Sequence, residues 1–67
     1  MNLRKSILHA MANLDCNQKE FAAKAGITRP YLSSIMSGKT KPGTITLERM
    51  AEAAGITVSK FIALGEE

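Results

Sequence analysis

The chain holds one cysteine, Cys16, in 67 residues. That excludes an internal disulfide and any multi-cysteine metal site, and a lone thiol suits a reducing compartment. It has one histidine, His9, no tryptophan, and only Phe21, Tyr31 and Phe61 as aromatics. His9 has no second histidine and no cysteine at ligand spacing, which argues against a metal site. His9 and Cys16 also lack the third, orienting group that a nucleophile pair needs. No apolar run reaches the roughly 18 residues of a membrane span. At the N-terminus, Arg4, Lys5, His9, Asn13 and Asp15 interrupt what would be the apolar heart of a signal peptide. No segment alternates apolar and polar residues long enough for a sheet, and we find no repeat, low-complexity tract or long linker. The length fits one domain, residues 1–67, that buries about 60% of its unfolded surface. A deep cleft between two lobes does not fit in it. The expectation is a non-enzyme without cofactor, small-molecule ligand or membrane contact.

What is present is positive charge, unevenly spread. The net charge is +3, divided as +1 over residues 1–17, +4 over 18–43 and −2 over 44–67. Lys19, Lys24, Arg29, Lys39 and Lys41 supply the central excess, and Glu48, Glu52, Glu66 and Glu67 the acidic end. Such asymmetry points to a polyanion on one face, against the plainer reading of a scattered solvated surface. Glu48 and Glu52 stand one helical turn apart. Paired carboxylates can do acid–base work, but with Arg49 between them they read as a solvated face.

The spacing of apolar residues predicts five short helices. Leu3, Ile7, Ala10, Met11 and Leu14 mark a first amphipathic helix. Asp15-Cys16-Asn17 ends it. Asn17 is placed to cap a second helix, with Glu20 completing a capping box. Gln18 opens that helix, and Phe21, Ala22 and Ala25 form its apolar face. Gly26 follows where a helix C-terminus wants the left-handed region. Ile27 plugs the corner. Thr28 is a good N-cap for a third helix, about Arg29 to Ser37, with Pro30 in its first turn. Because a residue before proline avoids the helical region, Arg29 is a second candidate for the cap. Leu32 and Ile35 anchor this helix inward, and Gly38 stops it. Pro42-Gly43 signals a turn. Thr46 is the expected cap of a fourth helix with Leu47, Met50, Ala51 and Ala54 inward, ended by Gly55. Thr57 caps a fifth carrying Val58, Phe61, Ile62 and Leu64. Met11, Met36 and Met50 read as core fillers.

A packed second helix, a glycine turn and a short polar third helix are what a helix-turn-helix needs to enter a major groove. On Gln18, Phe21, Ala22, Ala25, Gly26, Ile27, Leu32, Ile35, Gly38 and the basic Lys39-Thr40-Lys41 segment, the chain resembles the lambda-repressor/Cro-type family, also called the XRE family. The stretch TLERMAEAAGITVSKFIAL is similar to that family's fourth and fifth helices, so the resemblance covers nearly the whole chain. It implies an all-α, compact five-helix DNA-binding domain with the helix-turn-helix at helices 2 and 3. In relatives, the positions of Met11 and Met36 often hold an Arg–Glu pair. Replacing a buried ion pair by apolar side chains is often neutral or stabilising.

Arg29 is the first candidate for base reading, since residues at the start of a recognition helix meet base edges and its fork matches guanine N7 and O6. A phosphate contact is the alternative. Pro30 either touches a thymine methyl or simply starts the helix. Ser33 and Ser34 lie one turn on and discriminate weakly between bases. The resemblance assigns base reading to the positions of Arg29, Pro30 and Ser34. Many relatives carry glutamine there and this chain does not, so no operator sequence follows. The resemblance also makes Gln18 a phosphate ligand, aided by amides at the helix start; otherwise it is a plain polar first residue. Lys39, Thr40 and Lys41 follow the recognition helix and suit phosphate oxygens. Asn17, Ser37 and Tyr31 are weaker phosphate candidates.

Phe61, Ile62 and Leu64 are candidates for a dimer seam. The expected function is sequence-specific binding of double-stranded DNA by a small cytoplasmic transcriptional regulator, bacterial or phage-encoded. It reads operator half-sites as a homodimer, at least on DNA, over a near-palindromic site. No separate effector or oligomerisation domain is expected. The alternative is an antitoxin-type protein-interaction module that also binds its own operator.

Overall fold

The computed structural model describes residues 3–66, which form five α-helices: α1 Leu3–Leu14, α2 Gln18–Ala25, α3 Arg29–Met36, α4 Thr44–Ala54 and α5 Val58–Leu64. Glu67, counted above with the acidic end, lies outside the described residues.

Local chemistry sets most of the helix ends. Asn17 caps α2: its side chain accepts the Glu20 amide at 2.8 Å, and Glu20 Oε1 accepts the Asn17 amide at 3.1 Å. Thr28, not Arg29, caps α3, its Oγ1 accepting the Tyr31 amide at 3.2 Å. Arg29 is therefore the first helical residue and Pro30 the second, where a missing amide proton costs nothing. Thr57 caps α5 through the Lys60 amide, also at 3.2 Å. Gly26 takes φ 71°, ψ 29° at the end of α2, letting the Ile27 amide reach back to the Ala22 carbonyl at 3.0 Å. Asp15 closes α1 in the same way at φ 53°, a region that aspartate tolerates better than most residues.

The start of α4 differs from expectation. Thr46 is not its cap. The helix begins three residues earlier than a Thr46 cap would place it, at Thr44, with Gly43 as N-cap and no side-chain hydrogen bond. The Leu47 amide reaches the Gly43 carbonyl at 3.0 Å, so Thr46 already lies within the first turn. Glu48 consequently sits beyond the first turn, which holds no acidic residue.

The repeat-free reading also needs correction. Residues 22–28 (AAKAGIT) and 51–57 (AEAAGIT) share the frame Ala–x–x–Ala–Gly–Ile–Thr, 29 positions apart. Their folds match. Gly55 has φ 73°, ψ 25°, the Ile56 amide reaches Ala51 as Ile27 reaches Ala22, and Thr57 repeats the Thr28 cap. Phe21 and Met50 are paired by this offset, as are Leu32 and Phe61, and all four are fully buried. The α4–turn–α5 unit thus repeats the α2–turn–α3 unit.

The core gathers Ile7 and Met11 from α1, Phe21 from α2, Leu32 and Ile35 from α3, Met50 from α4 and Phe61 from α5. Helix α1 packs on α3, α4 and α5, while α2 packs on α3 and α4. Met36 is half-buried and packs against the core as a partial filler. The body measures 25 × 24 × 18 Å. Among the described residues, no helix is long and apolar enough to cross a membrane.

Candidate nucleic-acid interface

Leu32 and Ile35 bury one side of α3 and leave Arg29, Pro30 and Ser33 exposed, with Ser34 and Tyr31 half-buried. Two inward anchors fix the helix, and its polar residues project beside the start of α2. There Asn17, Gln18, Lys19 and Arg29 line a shallow notch of about 390 Å³. The notch brings the leading base-reading candidate next to two phosphate candidates. It also adds Lys19, which the sequence reading did not select. The signal for Lys19 was its position, one residue into α2, next to Gln18.

The far end of α3 is tied to the basic loop by one carbonyl. Ser34 O accepts the Lys39 amide at 3.0 Å, the Thr40 amide at 3.3 Å and the Ser37 hydroxyl at 3.1 Å. These bonds fold the segment after α3 back against it, leaving Lys39 and Lys41 exposed and Thr40 half-buried. They also bear on Ser37: its proton is directed at Ser34, so it reaches a phosphate only by giving up that bond. Asn17 has its side-chain oxygen engaged in the α2 cap, and only its amide nitrogen remains for an anion. The start of α4, without a side-chain cap, leaves first-turn amides open beside this loop.

Across these groups the interface is two cationic ends flanking a short polar helix. Cations so placed suit phosphate oxygens, and an exposed polar helix face between them suits base edges. The profile of the family described as Helix-turn-helix matches residues 8–61. The chain belongs to the XRE-type helix-turn-helix family of DNA-binding regulators. It is 37% identical over 49 residues to the control protein C.MunI of a Mycoplasma species, spanning 73% of this chain and 66% of that protein. An HTH-type transcriptional regulator of Sinorhizobium fredii, y4dJ, is 31% identical over all of this chain and 92% of its own length. The regulator DdrOP3 of Deinococcus deserti is 41% identical over 44 residues, 66% of this chain but 34% of that protein.

The expected seam changes in membership. Phe61 is fully buried in the core of a single chain and offers no surface to a partner. Ile62 and Leu64 remain half-buried on α5. Leu8, 45% exposed on α1, which packs on α5, is an apolar surface residue that the sequence reading left out. Ile45, 67% exposed in the first turn of α4, is another.

Proposed function

We propose that this protein recognises a specific operator in duplex DNA by inserting α3 into the major groove, and regulates transcription by occupying that site in the cytoplasm. Arg29, Pro30, Ser33 and Ser34 read base edges. Gln18, Asn17, Lys19, Lys39, Thr40 and Lys41 hold phosphates on either side. Tyr31 reaches the backbone from the helix flank. The observation that carries this reading is the pairing of the notch at one end of α3 with the basic loop at the other, the loop tied to α3 through the Ser34 carbonyl.

A body about 25 Å across spans less than the 34–36 Å helical turn that separates half-sites. One copy therefore reads one half-site, and two copies related by a twofold axis read a near-palindrome. Ile62 and Leu64 of α5, with Leu8 of α1, the helix that packs on it, form the seam.

Selection of bound sequences from random duplexes, followed by footprinting, tests the reading. The expected result is a bipartite motif with half-sites about one turn apart, each protected on the major-groove side. Enrichment of no sequence at all would refute specific recognition. A single unpaired half-site would refute the dimer alone.

A further inference from the structure

The internal repeat supplies its own control. Its two glycine turns have the same sequence and backbone angles within a few degrees, yet their surroundings differ. A Cβ built on Gly26 would lie 3.7 Å from Arg49 Nη1, whereas nothing comes within 4 Å at Gly55. Arg49 extends from α4 into the groove over the end of α2, beside Ala23 and Lys24, with Glu52 on the same helix. Its repeat partner, Glu20, instead spends its side chain on the α2 capping box.

The turn at Gly55 takes the same angles with no side chain within 4 Å of a built Cβ, so the turn conformation does not itself require an arginine there. What differs is what each turn carries. The turn at Gly26 leads into the helix that meets DNA. We infer that Arg49 is a positioning residue for recognition: its guanidinium, lying over the C-terminal end of α2, pins the helix-turn-helix to α4 and fixes the pose of α3. A cation at that end is favoured by the helix dipole, and the effect is modest at an exposed site. The inference rests on α3 being the reading helix.

Amide exchange and DNA binding together test it, on Arg49→Met, which keeps the stem without the charge, and Arg49→Lys, which keeps a cation. In Arg49→Met, exchange at Gly26 and Ile27 should speed up relative to Gly55 and Ile56. Affinity for the selected site should fall about two- to fivefold, the range a cation at a helix C-terminus supplies, while random duplex binds as before with the same salt dependence. Arg49→Lys should restore much of both. Unchanged exchange at Gly26 and Ile27 would overturn the contact, whatever the protein binds. Changed exchange with an unchanged ratio of selected-site to random-duplex affinity would overturn the positioning role. A parallel loss on both duplexes with a shallower salt dependence would make Arg49 a phosphate ligand instead. If the wild-type protein shows no preferred site, the recognition reading fails on its own, and the exchange result still decides the contact.

Discussion

The Ser34 carbonyl accepts the Lys39 amide at 3.0 Å, joining the helix that carries the base-reading candidates to the loop that carries the phosphate candidates. Under the proposed reading the two functions share one anchor, so the height of α3 in the groove and the grip of the loop would be set together. Within that arrangement Lys41 is exposed and free of the tie. Replacing it by alanine should remove one phosphate contact and leave α3 untouched. The slope of log affinity against log salt should become shallower by about 0.9, with the preferred site unchanged. Titrations on selected and random duplexes at several salt concentrations check this, and an unchanged slope would take Lys41 off the contact surface.

Arg29 stands where both kinds of contact are within reach. Its exposure at the first position of α3 favours a guanine, and its place in the notch with Gln18 and Asn17 favours a phosphate. Arg29→Ala should cost about 1–3 kcal/mol on the best site and relax preference at one base pair in each half-site. A repeat selection with the variant separates the two roles. Full preference with uniformly lower affinity would make Arg29 a backbone ligand.

Asn17 combines a cap with the proposed anion contact, and the two can be pulled apart. Asn17→Asp keeps an oxygen for the Glu20 amide and adds a negative charge at a helix start, so thermal stability should be held or slightly raised. In the proposed pose the same charge faces the DNA backbone, so affinity should drop. Asn17→Ala should lose about 1 kcal/mol of stability with the cap. If Asn17→Asp binds DNA as well as wild type, the notch does not meet a phosphate.

How much of this could be read from the sequence depends on how local the cause is. The ends of α2 and the start of α3 were legible because Asn17, Glu20, Gly26 and Thr28 satisfy backbone groups within a few residues of themselves. The start of α4 was not. Gly43, Thr44 and Thr46 are all plausible starts, and the helix chooses the one that adds a turn without any side-chain cap. Phe61 was misassigned for a different reason. Seven residues of α5 hold Val58, Phe61, Ile62 and Leu64, and only the packing of α5 against α1 and α4 decides which of them turns inward. The repeat was in plain view as Ala–x–x–Ala–Gly–Ile–Thr, but its meaning needed the matching backbone angles.

Those angles give a paired prediction. Gly26 and Gly55 both sit in the left-handed region, at φ 71° and 73°, and neither has a backbone atom close to a built Cβ. Alanine at either position should destabilise by about 1 kcal/mol, from strain partly offset by a less free unfolded chain. The two values should agree within about 0.5 kcal/mol. Denaturant melts of both variants check this. Arg49 Nη1 would lie at ordinary contact distance, 3.7 Å, from the new Cβ, so a much larger loss at Gly26 would mean that the two turns are not equivalent.

The seam is tested best where it is already exposed. Leu64 is half-buried, so Leu64→Glu risks unsettling α5 as well as blocking a partner. Leu8 is 45% exposed on the neighbouring helix and tolerates a charge without cost to the core. In a twofold pairing through α5, each glutamate would meet or approach its own copy, and like charges at a small apolar contact oppose association. Leu8→Glu should keep its helical signal, bind a single half-site with near wild-type affinity, and lose cooperative protection of the paired site. Small apolar patches make weak dimers, so the free protein is expected to be monomeric at micromolar concentration and to pair on DNA. Footprinting over the full operator gives the result directly. Cooperative protection that survives in Leu8→Glu and Leu64→Glu alike would move the contact elsewhere, and Ile45, exposed at the opposite end of α4 from the α5 junction, would be the next apolar side chain to change.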